Sequence, residues 1–225
     1  MISVAIDGPA GAGKSTIAKR IANDLGFIYV DTGAMYRAVG LYMLKNGISP
    51  KDRNSVCGAL KKISVSIEFK GGEQRVILCG ADVTGKIRSE DVSMAASAVS
   101  AVPDVRGFLL SAQRSIAEKS NVVMDGRDIG TVVLPGAEVK IFLTASPEER
   151  AKRRYGELLQ KGEKANYENV LKDMKQRDMN DMTRAAAPLV PAKDAVKVDT
   201  TGNTLEESVS VVLSVIRERI NKMGR

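Results

Sequence analysis

The sequence predicts an α/β protein, a parallel β-sheet covered by helices on both faces. Three observations carry this. Five short apolar runs, Ile2 to Ile6, Phe27 to Val30, Val122 to Met124, Val139 to Leu143 and Ala195 to Val198, alternate with helical patterns, as strands buried on both faces do. A glycine-rich loop joins the first run to the first helical pattern. Finally, 225 residues with 44% hydrophobic, 27% charged and 7 prolines suffice for one sizeable core and fit neither a disordered nor a fibrous chain.

Between the first two runs, Ile17, Ile21 and Leu25 recur at helical spacing and Gly26 is placed to end the helix, completing one βαβ unit. Before the third run lies a long insertion with a different period. Ile63, Val65, Ile67 and Phe69 alternate with polar residues, which predicts a half-buried antiparallel strand. Gly71-Gly72 supplies a turn, Arg75 to Leu78 a return strand, and a third short strand is expected near Val83. The insertion reads as an accessory module. From Ser146 to Arg184, ten Lys/Arg accompany eight Asp/Glu and few large apolar residues, so this stretch predicts exposed helices with little core of their own. Ser146-Pro147-Glu148-Glu149 and Thr204-Leu205-Glu206-Glu207 both fit a capping box that opens a helix.

Several functions are excluded at once. Histidine is absent, which removes Ser-His-Asp and Cys-His triads, HExxH zinc sites and any histidine general base. Cys57 and Cys79 form no CxxC pair and are too few for a disulfide framework. The N-terminal MISVAIDGPAG has no basic start or apolar run of signal-peptide length, and no stretch of about 18 apolar residues occurs. A cytoplasmic location with no membrane partner is expected. The charge of 34 − 27 = +7 suggests a polyanionic partner, which could be nucleic acid, an acidic membrane or a phosphorylated small molecule.

The sharpest motif is Gly8-Pro9-Ala10-Gly11-Ala12-Gly13-Lys14-Ser15, which satisfies GxxxxGK[ST] between an expected strand and an expected helix. Its backbone N–H groups can converge on phosphate oxygens at a helix N-terminus. Lys14 is placed to reach the β and γ phosphates, and Ser15, followed by Thr16, could offer a hydroxyl to Mg²⁺. The motif implies a nucleoside triphosphate user, not a particular reaction. A guanine-reading NKxD is absent, and a motor-type ATPase would need a larger chain. Asp125, closing the third apolar run, suits either water-mediated Mg²⁺ binding or a plain loop-capping role.

Asp31-Thr32-Gly33-Ala34-Met35-Tyr36-Arg37 follows the second run and Asp125-Gly126-Arg127-Asp128-Ile129-Gly130-Thr131 the third, at strand ends where open α/β sheets bind ligands. With the P-loop, the stretch from Met94 to Arg106, KIFLTAS and the pattern from Arg177 to Ala192, these strings closely resemble the bacterial cytidylate kinase family of nucleoside monophosphate kinases. The resemblance keeps its order from the N-terminus past Ala192. It implies a P-loop three-layer fold with a five-stranded parallel sheet. Residues 1–35 with 105–146 and 180–225 would form its core, 36–104 an antiparallel-sheet insertion that binds the monophosphate, and 147–179 a helical lid.

The resemblance further implies transfer of the ATP γ-phosphoryl group to CMP or dCMP with Mg²⁺, by a monomer in pyrimidine nucleotide metabolism. Arg37 and Arg127 would hold the CMP phosphate with Thr32 and Tyr36 nearby, consistent with the bidentate grip of guanidinium on phosphate. Ser97, Arg106 and Asp128 would read the base, because cytosine offers an amino donor at N4 and acceptors at N3 and O2. Arg177 and Asp181 would face the ribose, Arg184 a phosphate, and Arg150, Arg153 and Arg154 would serve as lid arginines. One departure stands out: many nucleoside monophosphate kinases carry Gly where this chain has Ser15, with Thr next. Two alternatives remain: a P-loop kinase for another small acceptor, and a basic nucleic-acid module that uses ATP as a regulator. Aromatics at 4% and the lack of Trp leave the latter little for base stacking.

Overall fold

The computed structural model describes residues 1–160 and 162–224; Lys161, inside the charged segment, and Arg225 lie outside the described residues. In chain order the elements are β1 Ser3–Asp7, α1 Lys14–Leu25, β2 Ile28–Asp31, α2 Thr32–Lys45, α3 Arg53–Leu60, β3 Val65–Lys70, β4 Glu73–Leu78 and β5 Ala81–Asp82. They continue with α4 Glu90–Ser100, α5 Pro103–Lys119, β6 Val122–Gly126, a single π-helical turn Ile129–Val133, β7 Val139–Thr144, α6 Pro147–Gln160, α7 Tyr167–Thr183, β8 Val196–Asp199 and α8 Leu205–Lys222. The expected apolar runs became a five-stranded sheet of order β2-β6-β1-β7-β8, and the alternating insertion became a three-stranded sheet of order β3-β4-β5. By packing, the chain divides into two compact units, one formed by residues 28–122 with Met1 and the other by 2–27 with 123 onward.

In the second of these units β1 runs parallel to β7, Val4 opposite Val139 and Asp7 opposite Phe142, and β7 runs parallel to β8. Parallel pairing brings Asp7, Thr144 and Asp199 to the same end of these strands, where the glycine-rich loop departs. Val4, Ala5 and Ile6 are wholly buried, as a central strand requires. The turn out of β1 depends on Gly8, because a Cβ there would lie 1.9 Å from the Leu143 carbonyl oxygen. Helix α1 opens at once after Gly13 and ends at Gly26, whose left-handed backbone returns its N–H to the carbonyls of Ala22 and Asn23. The Thr204–Glu207 capping box forms as expected. At α6, Ser146 Oγ accepts from Glu149 N at 3.2 Å, while the Glu149 carboxylate pairs with Arg153.

In the first unit, Lys70 faces Glu73 across the two-residue Gly71-Gly72 loop, both glycines with positive φ, the geometry that right-handed strand twist favours. Met35, Val39, Met43, Val76, Val99 and Leu109 share one apolar core. Helix α2 lies against α4 at Gly40, where a Cβ would stand 2.9 Å from the Ala96 backbone nitrogen. This close approach sets Ser97 of α4 beside the helix that carries Tyr36 and Arg37.

Gly40→Ala should therefore cost about 1–3 kcal/mol by overpacking. Gly58, inside α3 with open space around it, should behave oppositely, Gly58→Ala gaining about 0.5–1 kcal/mol through helix propensity. Urea midpoints measure both, and the two substitutions should shift them in opposite directions.

Candidate active site

The loop from Gly8 to Gly13 curls between β1 and α1 with positive φ at Gly8, Gly11 and Gly13. Such a conformation turns successive N–H groups toward one concavity, and α1 adds its partial positive charge there. Ala10 and Ala12 are buried, Lys14 is 5% exposed, and Ser15 and Thr16 lie at the surface of the first helical turn. Lys14 Nζ donates to the Pro9 carbonyl at 2.6 Å. Burial holds its ammonium well below the usual value; Arg127 adds to this by like charge, while Asp125, Asp181 and Asp7 oppose it. Ser15 Oγ donates to Asp125 Oδ2 at 2.8 Å, so a hydroxyl and a carboxylate meet at the mouth of the loop. Among the described residues no cluster of three or more Cys, Asp or Glu is arranged to hold a metal. The oxygen pair Ser15/Asp125 nevertheless suits a hard cation such as Mg²⁺ that takes its other ligands from phosphate and water.

The segment after β6 gathers a second group. Arg127 Nε donates to Asp181 Oδ2 at 2.9 Å, Arg184 Nη1 lies 3.6 Å from Asp181 Oδ1, and Arg184 Nη2 lies 3.9 Å from Asp128 Oδ1. These four residues, expected at the substrate, thus form one connected charge cluster, with Asp128 and Asp181 about 5% and 6% exposed. Arg177 stands on α7 one turn before Asp181, half-buried.

Sequence reasoning missed what holds this segment in place. Asp7, at the end of β1, accepts from the backbone N–H of Ile129 and of Gly130, both at 2.7 Å. It thereby ties the turn that follows Arg127 and Asp128 to the strand that launches the P-loop. Burial raises the Asp7 carboxyl to about 6, against the two backbone hydrogen bonds that lower it; Asp128 raises it further and Lys14 opposes. The π-helical turn begins at Ile129, closed by Val133 N to Asp128 O and Leu134 N to Ile129 O. Turns of this type cluster at functional sites.

The other unit holds the remaining residues. Asp31 caps α2, its Oδ1 accepting from Ala34 N at 2.9 Å, while its Oδ2 accepts from Arg37 Nη2 at 2.6 Å. Gln74 of β4 clasps the Asp31 backbone, accepting from its N–H and donating to its carbonyl, so the small sheet is fastened to the helix start. Thr32 is buried in that first turn. Arg106 lies over the Tyr36 ring, 5.4 Å from its centroid, and donates to the Ser100 carbonyl at 3.1 Å. Ser97 is half-buried on α4, one turn before Ser100. The N-cap preference of Asp is the one signal that could have found Asp31 as the organiser of DTGAMYR.

The three expected lid arginines diverge. Arg153 reaches Thr200 O at 3.0 Å and lies close to Gly13 of the P-loop. Arg154 pairs with Glu157 at 3.3 Å. Arg150 is 2% exposed and bound bidentately to Asp178. Exposed helices with little core of their own were expected here, and the apolar residues they bury are Ala151, Leu158 and Met174.

A strand, a glycine cradle with a buried lysine and a hydroxyl–carboxylate pair at a parallel sheet's C-terminal edge define a P-loop phosphotransferase. Solved structures agree on the fold: a gluconokinase from Sinorhizobium meliloti aligns over 99% of this chain and 95% of its own, with TM-score 0.52 at 16% identity. An uncharacterized protein from Eubacterium ventriosum gives 0.53 at 13% identity, over 96% of this chain and 99% of its own. The sequence is more specific. The cytidylate kinase family model matches residues 4–218. Cytidylate kinases of Caldicellulosiruptor bescii and Carboxydothermus hydrogenoformans are 55% and 52% identical over 95% of this chain, covering 95% and 96% of their own lengths. The chain belongs to the cytidylate kinase family.

Asp7 carries a pH signature. With its pKa raised from 3.8 to about 6 on folding, its stabilising contribution is fully present below about pH 4 and is lost as pH rises through about 6. Relative to Asp7→Asn, the wild-type protein should therefore lose on the order of 3 kcal/mol between about pH 4 and 7, from a shift of roughly two units. Urea unfolding across that range measures it; parallel stability curves would refute the assignment.

Proposed function

We infer that this chain is a cytidylate kinase that transfers the γ-phosphoryl group of ATP to CMP or dCMP, giving CDP or dCDP and ADP. The observation that carries the reading is the family match across residues 4–218. The site chemistry fits, because the acceptor is already a phosphate oxyanion and needs no general base. The chain lacks histidine altogether, and the work left to the protein is positioning and charge stabilisation.

In the proposed site the backbone N–H groups of the loop Gly8 to Ser15, which Pro9 lacks, and the Lys14 ammonium hold the donor phosphates. An incoming polyphosphate supplies negative charge that favours the ammonium against its burial, drawing Lys14 from the Pro9 carbonyl. Ser15, and Asp125 through water, would hold Mg²⁺, which supplies charge neutralisation on the donor phosphates. Arg37 and Arg127 grip the acceptor phosphate, with Thr32, Tyr36 and Arg184 supporting it. Arg177 and Asp181 take the ribose hydroxyls. Asp128 faces the N4 amino group and Arg106 faces N3 and O2, with Ser97 also at the base; uracil reverses the polarity at positions 3 and 4 and would leave buried groups unpaired. Arg153 and Arg154 bring charge to the transferring group and help exclude water.

Residues 1–35 with 105–146 and 180–225 would then be the catalytic core, 36–104 the monophosphate-binding insertion, supported by its separate antiparallel sheet, and 147–179 the lid. Among the described residues no helix is long and apolar enough to cross a membrane. We place the enzyme in the cytoplasm as a monomer acting on small molecules rather than on nucleic acid or membrane.

A coupled ADP-release assay with Mg-ATP and CMP, dCMP, UMP, AMP or GMP tests this, and activity confined to CMP and dCMP is expected. UMP used equally well would sink the base-reading assignment, and silence across the panel would sink the kinase. Lys14→Ala and Arg127→Ala should each lower kcat/KM by about 10³-fold, the scale of losing a charge that stabilises phosphoryl transfer. Arg106→Ala should raise KM for CMP and erode its preference over UMP; undiminished preference would contradict the role given to Arg106.

A further inference from the structure

Arg150 is a buried cation that this mechanism does not use. It rises from the first turn of α6 and four of its N–H contacts are fixed. Nε donates to the Ala145 carbonyl at 2.9 Å, Nη1 to the Ala10 carbonyl at 2.9 Å and to Asp178 Oδ1 at 3.1 Å, and Nη2 to Asp178 Oδ2 at 2.6 Å. One planar group thus joins the end of β7, the start of α6, the middle of α7 and the P-loop. The helices also approach Gly11 on one side: a Cβ there would stand 3.1 Å from Met174 Cε and 3.3 Å from Arg150 Cβ.

We propose that Arg150 is a positioning residue for the phosphoryl donor, orienting the Ala10–Gly11 peptide so that the Gly11 N–H faces the phosphate cradle. A trans peptide points its C=O and N–H in opposite directions. Holding the Ala10 carbonyl on the helix side therefore turns the Gly11 N–H to the other side, where the left-handed backbone of Gly11, φ +73, contributes to the concavity. A charge this deeply buried is expensive, and packed apolar side chains could join α6 to α7 equally well. An apolar side chain cannot orient a carbonyl. Lysine could not replace the fork either, since a single ammonium on a flexible stem does not meet both oxygens of Asp178 and two carbonyls in fixed directions. The inference rests on ATP being the donor, and it adds a residue through which the α6–α7 pair governs the P-loop.

The test uses the full-length chain with Arg150→Lys and Asp178→Asn, measuring ADP affinity by titration calorimetry, KM for Mg-ATP and for CMP, and thermal unfolding. Arg150→Lys should weaken ADP binding and raise KM for ATP about tenfold, the equivalent of one hydrogen bond to a charged group. KM for CMP should stay within about twofold, because the acceptor contacts are untouched. Asp178→Asn keeps the shape of the partner and should move the same quantities in the same direction by about threefold, a fraction of that hydrogen-bond energy. If Arg150→Lys fails to unfold cooperatively, Asp178→Asn carries the test alone. ADP affinity unchanged from wild type, or donor and acceptor KM rising together, would overturn the proposal. A wild-type protein that binds ADP but phosphorylates no nucleotide would overturn the kinase reading, while the ADP comparison would still decide the role of Arg150.

Discussion

Buried positive charge must have a fixed partner, and most of this architecture follows from that requirement. A protein that handles polyphosphate has to concentrate cations away from water, where each one loses hydration and repels the next. Among the described residues, cations of the site that are buried or half-buried have such counterparts: Lys14 the Pro9 carbonyl, Arg37 the Asp31 carboxylate, Arg127 and Arg184 the Asp181 carboxylate, Arg150 the Asp178 carboxylate. The partners stand on different elements from the cations in most of these pairs, so the charges also pin helices and loops to each other. Arginine dominates because its planar fork can serve a carboxylate and a carbonyl together.

The parts of the fold legible in the sequence are those whose cause is local. Ile2 to Ile6 and Val139 to Leu143 announced central strands because burial on both faces favours apolar side chains. Ile63 to Phe69 announced a half-exposed strand through its period of two, and Gly71-Gly72 announced its turn. The P-loop was legible because phosphate binding by backbone demands glycine at set intervals. For residues expected at the acceptor, such as Arg106, Asp128 and Arg177, the physical chemistry of one chain gave no more than exposed-looking polar residues on helices or after a strand end. Their roles came from the family resemblance.

What stayed hidden depends on contacts remote in sequence. Asp7 is an unremarked acid at a strand end until Ile129 and Gly130, more than a hundred residues away, donate to it. Arg150 is one of three arginines in five residues of α6, and nothing in that spacing says which faces inward. The Asp178 partner and the Ala10 carbonyl decide it. The Gln74 clasp on Asp31 is invisible for the same reason, since a glutamine in a strand carries no sign of what its amide will meet. All three hidden residues grip backbone of segments that carry candidate site residues.

Direct transfer between two nucleotides is decided by where the phosphoryl group goes. The most direct measurement is a single-turnover reaction of the wild-type chain with γ-labelled ATP, magnesium and CMP, followed by separation of nucleotides, inorganic phosphate and protein. The label should pass into the β-phosphate of CDP in proportion to the ADP formed, with none retained on the protein. Label released as inorganic phosphate or bound covalently to the chain would contradict an arrangement of fixed charges built for direct transfer between two nucleotides.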